Sequence, residues 1–459
     1  MVEDSSNRNE DEIREEPKNV PTIIPPTDHP IRLKDIDKEA LKVLYRLRDA
    51  GFVGYLVGGG VRDLYLGKKP KDFDISTDAR PGQLRKIFRN SRAIGRRFRL
   101  VQVFFRGGKI IEVSTLRSQS EHDLNGDEHT VLPSNNSYGT LEDDAFRRDL
   151  TVNSLFYEIE SGTIIDYVGG VKDLDKGVVR IIGEPERRIT RDPVRMMRAI
   201  RHASRNDFRV DRKSWQAIVE HREKLLLCPP SRIRDELLKD LRSGSAAAWV
   251  KIAIRSRIFF TLLPFYEELA SETGPGALRR EILLRYMQVL DRLHDSSTTE
   301  QAVVVPDNIL LAALLAPWIS SHFDFDEKLA GSAHHERSVE IRQLLDEAIS
   351  VRFNLMRAAK ENIGSLFVNL SLFIRHGEEK AWPKWLRKKS YFTDCSKFYE
   401  IYNEAINGVE ADVSPFITEA VDEGESLPTL AVENEGGHKH QGIMPAFSRA
   451  KGGVFGLRK

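Results

Sequence analysis

Residues 55–76, which read YLVGGGVRDLYLGKKPKDFDIS, join a glycine loop to a pair of carboxylates. The apolar run at 53–57 predicts a strand, the three glycines that follow it a tight turn, and the next residues a short helix through Leu66. Backbone N–H groups in a loop without side chains can approach phosphate oxygens, and a helix N-terminus favours an anion. The spacing of the glycines matches neither the dinucleotide fingerprint nor the P-loop. Two interpretations are left open, a phosphate-binding loop and a plain tight turn.

Asp72 and Asp74 form the second half of this stretch. Strand alternation would place both carboxylates on one face, where their like charges require compensation. Oxygen ligands suit Mg²⁺, which proteins often hold with one or two carboxylates and the substrate's phosphates. A polar strand end is the alternative. The glycine loop close by favours a site for phosphoryl transfer.

A third carboxylate would complete a two-metal site, in which one ion activates a hydroxyl and the other stabilises the leaving phosphate. Glu112 lies in a predicted strand at 109–115, and Asp149 follows two arginines. An edge-strand charge is the alternative explanation for Glu112, and a salt bridge is the alternative for Asp149. The sequence does not choose between the two.

Residues 192–201, DPVRMMRAIR, predict a helix with Asp192 as N-cap and Pro193 in its first turn. Apolar side chains fill one half of this helix. The other half carries the arginines Arg191, Arg195, Arg198, Arg201 and Arg205. That half faces either water or a nucleotide or other polyanion, and the mutual repulsion of the arginines favours a polyanion.

Strand patterns dominate the first half of the chain and helical patterns the stretch from Pro193 to about residue 407, which predicts an α+β fold. We expect a mixed-sheet head at 33–185, a helical neck at 186–250 and an all-helical body at 251–408. Polar and proline-interrupted residues predict a disordered segment at 1–32. Residues 409–459 are expected to form a flexible tail with a basic end.

Composition limits the class of protein. The 459 residues carry a net charge of +1, and no run approaches the roughly 20 apolar residues of a membrane span. The two cysteines exclude a disulfide framework and a cysteine-rich zinc site. The acidic N-terminus resembles no signal peptide, so a cytoplasmic location is expected.

Five ordered blocks between residues 38 and 245 resemble the class II nucleotidyltransferases of the DNA polymerase β superfamily. This group contains bacterial poly(A) polymerases and CCA-adding tRNA nucleotidyltransferases. The blocks are YLVGGGVRDLYLGKKPKDFDIS (55–76), IIEVSTLR (110–117), RRDLTVNSLFY (147–157), DYVGGVKDLDKGVVRIIG (166–183) and DPVRMMRAIRH (192–202).

The resemblance implies a role for each site residue. It assigns two Mg²⁺ ions to Asp72 and Asp74, and the nucleotide's triphosphate to Gly58, Gly59 and Arg62. It assigns support of the ribose and of catalysis to Arg148, Asp149 and Asn153. It assigns the incoming base to Asp192 and Arg195, with Arg198 and Arg201 beside the nucleotide.

Within this family, SRAIGRRFRLVQVFF (91–105) and PPSRIRDELLKDL (229–241) are similar to poly(A) polymerases. The implied reaction adds AMP from ATP to an RNA 3′ end without a template. The alternatives are a CCA-adding enzyme and a catalytically silent RNA-binding protein on the same scaffold. Arg191 departs from the acidic residue that the family usually has there, which affects the expected base selection.

Overall fold

The first half of the described chain contains a mixed sheet of eight strands. The computed structural model describes residues 20–417 apart from 96–99, 119–137, 296–302, 326, 328–330 and 378–381. The strands are β1 (Thr22–Ile24), β2 (Gly54–Val57), β3 (Asp74–Thr77), β4 (Ser91–Ile94), β5 (Leu100–Phe104), β6 (Ile110–Thr115), β7 (Leu155–Glu158) and β8 (Thr163–Asp166). Their order is β1-β8-β7-β2-β3-β6-β5-β4, and only β3 and β6 are parallel neighbours. Two further strands, β9 (Val178–Val179) and β10 (Arg209–Val210), pair in parallel.

Helices surround this sheet and make up almost all of the rest. Those of the first half are α1 (Lys38–Asp49), α2 (Gly59–Tyr65), α3 (Pro81–Ile87), α4 (Leu141–Arg147), α5 (Gly170–Asp175), α6 (Pro185–Arg191), α7 (Arg195–Asn206) and α8 (Arg212–His221). Those of the second half are α9 (Pro230–Leu241), α10 (Ala246–Arg255), α11 (Ile258–Leu262), α12 (Gly274–His294), α13 (Asp307–Ile319), α14 (Ser332–Leu345), α15 (Val351–Phe353), α16 (Arg357–Gly377), α17 (Lys384–Arg387) and α18 (Phe392–Asn407). The predicted α+β class is confirmed.

Local sequence explains where helix α1 lies. The carboxylate of Asp37 accepts hydrogen bonds from the N–H groups of Glu39 and Ala40, at 2.9 and 3.2 Å, and so caps the first turn. Ala40, Val43, Leu44 and Leu47 recur at helical spacing and are buried. Gly51, with φ of +80°, turns the chain away after the helix.

Two elements at the edges of the fold differ from the sequence prediction. Residues 22–24, in the segment predicted to be disordered, pair with β8 as strand β1. Residues 1–19 lie outside the described residues. At the other end, the chain beyond residue 409 continues to pack, with Ala411 and Phe416 buried. The predicted tail is therefore wrong for 409–417, and the rest of it lies outside the described residues.

Helix α7 begins later than the sequence predicts. Asp192 is the C-cap of α6, and its N–H donates to the carbonyl of Arg188 at 3.2 Å. Pro193 and Val194 form a turn, and the helix begins at Arg195. The prediction of Asp192 as N-cap is wrong, because its carboxylate is engaged by another helix instead.

The second half packs around α13, in which every residue from Ile309 to Ile319 is buried. Pro317 interrupts this helix. The hydroxyl of Tyr266 donates to the Leu314 carbonyl at 2.7 Å and accepts from the Trp318 N–H at 3.2 Å. Tyr266 therefore satisfies two backbone groups beside the proline, where the regular helical bonds are disturbed.

The predicted boundaries between head, neck and body remain predictions. No helix among the described residues is long and apolar enough to cross a membrane.

Candidate active site

The glycine loop connects β2 to α2 and lies against two charged side chains. Gly58 has φ of +70° and ψ of −134°, a backbone conformation that only glycine adopts without strain. A Cβ atom at Gly58 would stand 3.5 Å from Arg148 Nη1 and 3.9 Å from Asp74 Oδ2. The glycine therefore brings the loop backbone close to both the guanidinium and the carboxylate.

Strand register brings the carboxylates to this loop. Asp74 pairs with Val57 across β2 and with Glu112 across the parallel strand β6. The strand begins at Asp74, so Asp72 lies just before it. The sequence analysis had predicted both carboxylates within one strand, which is wrong for Asp72. Glu112 accepts a hydrogen bond from Gln102 at 3.0 Å. Glu112 is therefore the carboxylate beside Asp74 in the sheet.

Burial of the Asp74 carboxylate, followed by the negative charge of Glu112, raises the pKa of Asp74 to about 6. The positive charge of Arg148 acts in the opposite direction but is smaller in effect. The side chain of Asp74 nevertheless reaches solvent, which gives a ligand access to it. Within the described ranges no group of three or more His, Cys, Asp and Glu side chains forms a ready metal-binding cluster. Two neighbouring carboxylates, whose mutual repulsion Arg148 offsets only in part, fit a Mg²⁺ site completed by phosphate oxygens.

Arg148 is held in place by a buried acid that the sequence analysis did not identify. Its Nη2 and Nε atoms donate to Asp144 Oδ2 at 2.8 and 3.2 Å, and Arg147 donates to the other oxygen at 2.7 Å. Burial alone would raise the pKa of Asp144, but the two guanidinium groups outweigh it and lower the pKa. The i+3 and i+4 spacing of the two arginines from Asp144 is the signal that could have revealed this role.

Arg62 lies inside the protein, where its side chain is 2% exposed. It donates to Asp63 at 2.7 and 2.8 Å and to Asn153 Oδ1 at 2.5 Å. With this set of partners, Arg62 holds Asp63 and Asn153 beside the glycine loop. Its burial does not support the direct contact with a triphosphate that the resemblance implied. Nη2 of Arg62 is also the atom nearest to a Cβ built at Gly59, at 3.4 Å.

His202, another residue that the sequence analysis missed, completes this network. Its Nδ1 lies 3.1 Å from Arg62 Nη1, and its Nε2 lies 3.1 Å from Asn153 Nδ2. Burial, followed by the charge of Arg62, holds the pKa of His202 well below 6.5, so the ring is neutral. A neutral imidazole has one acceptor nitrogen and accepts from one of these two donors. Its i+4 spacing from Arg198 could have identified it.

Asp149 pairs with helix α7 instead of joining the carboxylate pair. Its Oδ2 lies 2.9 Å from Arg198 Nε, and its Oδ1 accepts from the Leu150 N–H at 2.9 Å. Burial alone would raise the pKa of Asp149, but the charge of Arg198 outweighs it and the pKa lies far below its usual range. Arg195 donates to the carbonyl of Arg148 at 3.4 Å, which brings α7 to the same region.

Asp192 and Arg195 lie near each other, with 3.9 Å between Oδ2 and Nε. A second arginine, Arg232 of α9, contacts both oxygens of Asp192 at 2.9 and 3.0 Å. Arg191 is the last residue of α6. No sequence signal pointed to Arg232, because it lies 40 positions away on another helix.

Arg201 is a predicted site residue whose guanidinium is engaged by another helix. Its guanidinium forms ion pairs with Glu236 and Asp240 of α9, and only 11% of the side chain is exposed. The expectation that it lies beside the nucleotide is not supported by this placement. Two carboxylates on an adjacent helix account for the charge of Arg201.

Two family models match the chain. The poly A polymerase head domain matches residues 54–180, and the "probable RNA and SrmB-binding site of polymerase A" matches residues 207–269. Poly(A) polymerase I of Escherichia coli O6:H1 is 39% identical over 71% of this chain and 70% of its own length. A CCA-adding enzyme of Lactobacillus helveticus is 32% identical over 72% of this chain and 78% of its own length.

A solved structure has a similar fold. It is the Bacillus stearothermophilus CCA-adding enzyme in complex with CTP, with a TM-score of 0.57 and 23% identity. The match covers 83% of this chain and 80% of that one. This similarity extends from the sheet into the helical second half.

Proposed function

As a member of the family of poly(A) polymerases and CCA-adding enzymes, this chain is a nucleotidyltransferase, and we propose that it adds AMP from ATP to RNA 3′ ends without a template. The observation that carries the proposal is the glycine loop at Gly58, which lies within contact distance of both Arg148 and Asp74. A cation and a carboxylate beside a glycine loop suit a triphosphate and its metal ions. The transfer joins the 3′ oxygen to the α-phosphorus and releases pyrophosphate.

Asp72 and Asp74 would hold Mg²⁺, with Glu112 as the third carboxylate in preference to Asp149. The strand register of Glu112 with Asp74 supports this choice, as does the ion pair of Asp149 with Arg198. Bound Mg²⁺ supplies charge neutralisation of the triphosphate and a lower pKa for the attacking hydroxyl.

The chain's own residues orient the triphosphate and compensate its charge. The loop at Gly58 and Gly59 admits phosphate oxygens close to the backbone. Arg148, oriented by Asp144, presents its guanidinium on the side of the loop next to Asp74. Arg62 and Asn153 support the loop from below. Catalysis then depends mainly on position and electrostatics.

Base selection is assigned to Asp192 and Arg195, with Arg232 holding the carboxylate. An adenine edge offers a donor at N6 and an acceptor at N1, which an aspartate and an arginine complement. Cytosine presents a similar edge, so a pocket of this kind could also serve a CCA-adding enzyme. The identity to poly(A) polymerase I, higher than that to the CCA-adding enzymes, favours adenine.

Primer extension separates the alternatives. The protein and Mg²⁺ would be given an unstructured RNA or a tRNA that lacks its 3′ end, each with ATP alone, CTP alone or both. A long ladder with ATP alone on the plain RNA supports the proposal. Addition confined to the tRNA, cytidine first and then stopping, would assign the chain to CCA addition. No incorporation on either RNA would favour a catalytically silent RNA-binding protein.

A further inference from the structure

A second RNA contact surface is suggested by the short helix α17 and the residues that follow it. The helix is fixed to the fold by Leu386, which is fully buried. Just before it, Trp382 packs against Phe373, Phe392 and Tyr399, with ring centroids 5.0, 5.9 and 5.6 Å apart. These contacts hold the outer side of the helix in one orientation.

Trp385, three residues after the packed tryptophan, is half exposed, with 50% of its surface open to solvent. Its ring and that of His376 meet edge to face, with centroids 6.1 Å apart and an interplanar angle of 82°. An exposed tryptophan loses much of the free energy that its burial would supply. A half-exposed indole held by a neighbouring ring is a suitable platform for stacking.

Four basic residues lie within four positions of this tryptophan in the chain, and all are exposed: Lys384, Arg387, Lys388 and Lys389. Within the described part of the chain, no ion pair with a carboxylate is found for any of them. The helix packed nearby behaves differently, since Arg357 pairs with Glu361 at 2.8 Å and Lys360 pairs with Asp346. Uncompensated cations this close together repel one another unless a polyanion binds.

We propose that this tryptophan patch, Lys384, Trp385, Arg387, Lys388 and Lys389, binds single-stranded RNA upstream of the reacting 3′ end. Trp385 stacks on a base and the cations contact phosphates. The proposal rests on the proposed function for the identity of the polyanion. Stacking on an aromatic face together with cationic contacts to the backbone is the usual, sequence-tolerant way of binding a single strand.

The test measures binding of a labelled, unstructured RNA by fluorescence anisotropy, without ATP. Trp385→Ala should weaken binding roughly 5- to 100-fold, and Trp385→Phe should restore most of it. Each phosphate contact of a single strand contributes about 0.7 to the slope of log K against log salt concentration. The slope should therefore become shallower by about 2 in a triple variant with Lys384→Gln, Lys388→Gln and Lys389→Gln. The matched control changes Lys34, Lys38 and Lys42 to Gln, which removes the same charge from exposed positions on α1 and the turn before it.

Catalysis separates this proposal from the proposed function. With a short primer at saturating concentration, the patch variants should keep the wild-type kcat, whereas the KM for a long RNA should rise. Unchanged RNA affinity in Trp385→Ala and the triple variant would overturn the proposal, even if the protein extends RNA. An equal loss of RNA affinity in the control variant at Lys34, Lys38 and Lys42 would show a non-specific effect of charge, and it would overturn the proposal as well.

Discussion

Replacing Gly58 with alanine should inactivate the protein without unfolding it. The backbone at Gly58 has φ of +70° and ψ of −134°, so the substitution should cost about 1–3 kcal/mol of stability. The new methyl group would stand 3.5 Å from Arg148 Nη1 and 3.9 Å from Asp74 Oδ2, an ordinary contact that the unliganded site tolerates. It would nevertheless fill the space assigned to the phosphates. A displacement of about 1 Å costs roughly 100-fold in rate, so kcat/KM for ATP should fall by about that factor.

Gly331 supplies a matched control for the backbone strain. It also precedes a helix, with φ of 58° and ψ of −125°, and a Cβ there would meet no described atom within 4 Å. Gly331→Ala should therefore lose similar stability but keep wild-type kcat/KM. Urea denaturation and primer extension with ATP would measure both variants. A Gly58→Ala protein with normal kcat/KM, or a Gly331→Ala protein with an equal loss of activity, would refute the reasoning.

Three further substitutions test other parts of the structure. Arg201→Met should lower the free energy of unfolding by about 3 kcal/mol, because it leaves the buried carboxylate of Asp240 without its ion-pair partner and Glu236 with Lys239 alone. It should leave the KM for ATP unchanged, and a raised KM would return Arg201 to the nucleotide site. His202→Gln should change the pH dependence of stability. The unfolded histidine takes up a proton below about pH 6.5 that the native ring does not, so wild-type stability relative to this variant should fall by about 1.4 kcal/mol per pH unit as the pH decreases. The same pH dependence of stability in the wild type and in the variant would contradict a buried, neutral ring at His202. Tyr266→Phe should cost about 1–3 kcal/mol in urea denaturation, because two backbone groups beside the helix proline lose their partner, and no measurable loss would show that water replaces it.

The sequence alone predicts the central part of the sheet and misses its edges. Strand β5 shows the inside–outside alternation that made it predictable. Strand β4 is largely exposed and mixed in polarity, so its sequence contains no such pattern. The three residues of β1 lie among prolines, and only their pairing with β8 makes them a strand. Short edge strands of this kind depend on tertiary contacts more than on their own sequence.

The candidate site was predictable where neighbouring positions determine it and was missed where distant elements meet. The approach of the Gly58 loop to Asp74 follows from consecutive antiparallel strands. The choice of Glu112 over Asp149 required the parallel register of β3 and β6, which no local pattern encodes. Arg201 shares a helix face with other arginines, but the carboxylates that neutralise it belong to α9. Helical periodicity identifies a face without identifying what packs on it.

The central claim is that Asp74 and Glu112 are the carboxylates of a nucleotidyl transfer site. The most direct measurement compares the wild-type protein with the variants Asp74→Asn and Glu112→Gln. It counts the nucleotides added to an RNA 3′ end and, in the same reaction, the pyrophosphate released. The account predicts one pyrophosphate per nucleotide for the wild type and no measurable incorporation by either variant, although both variants still fold and unfold cooperatively. Wild-type turnover by a folded Asp74→Asn protein would contradict it.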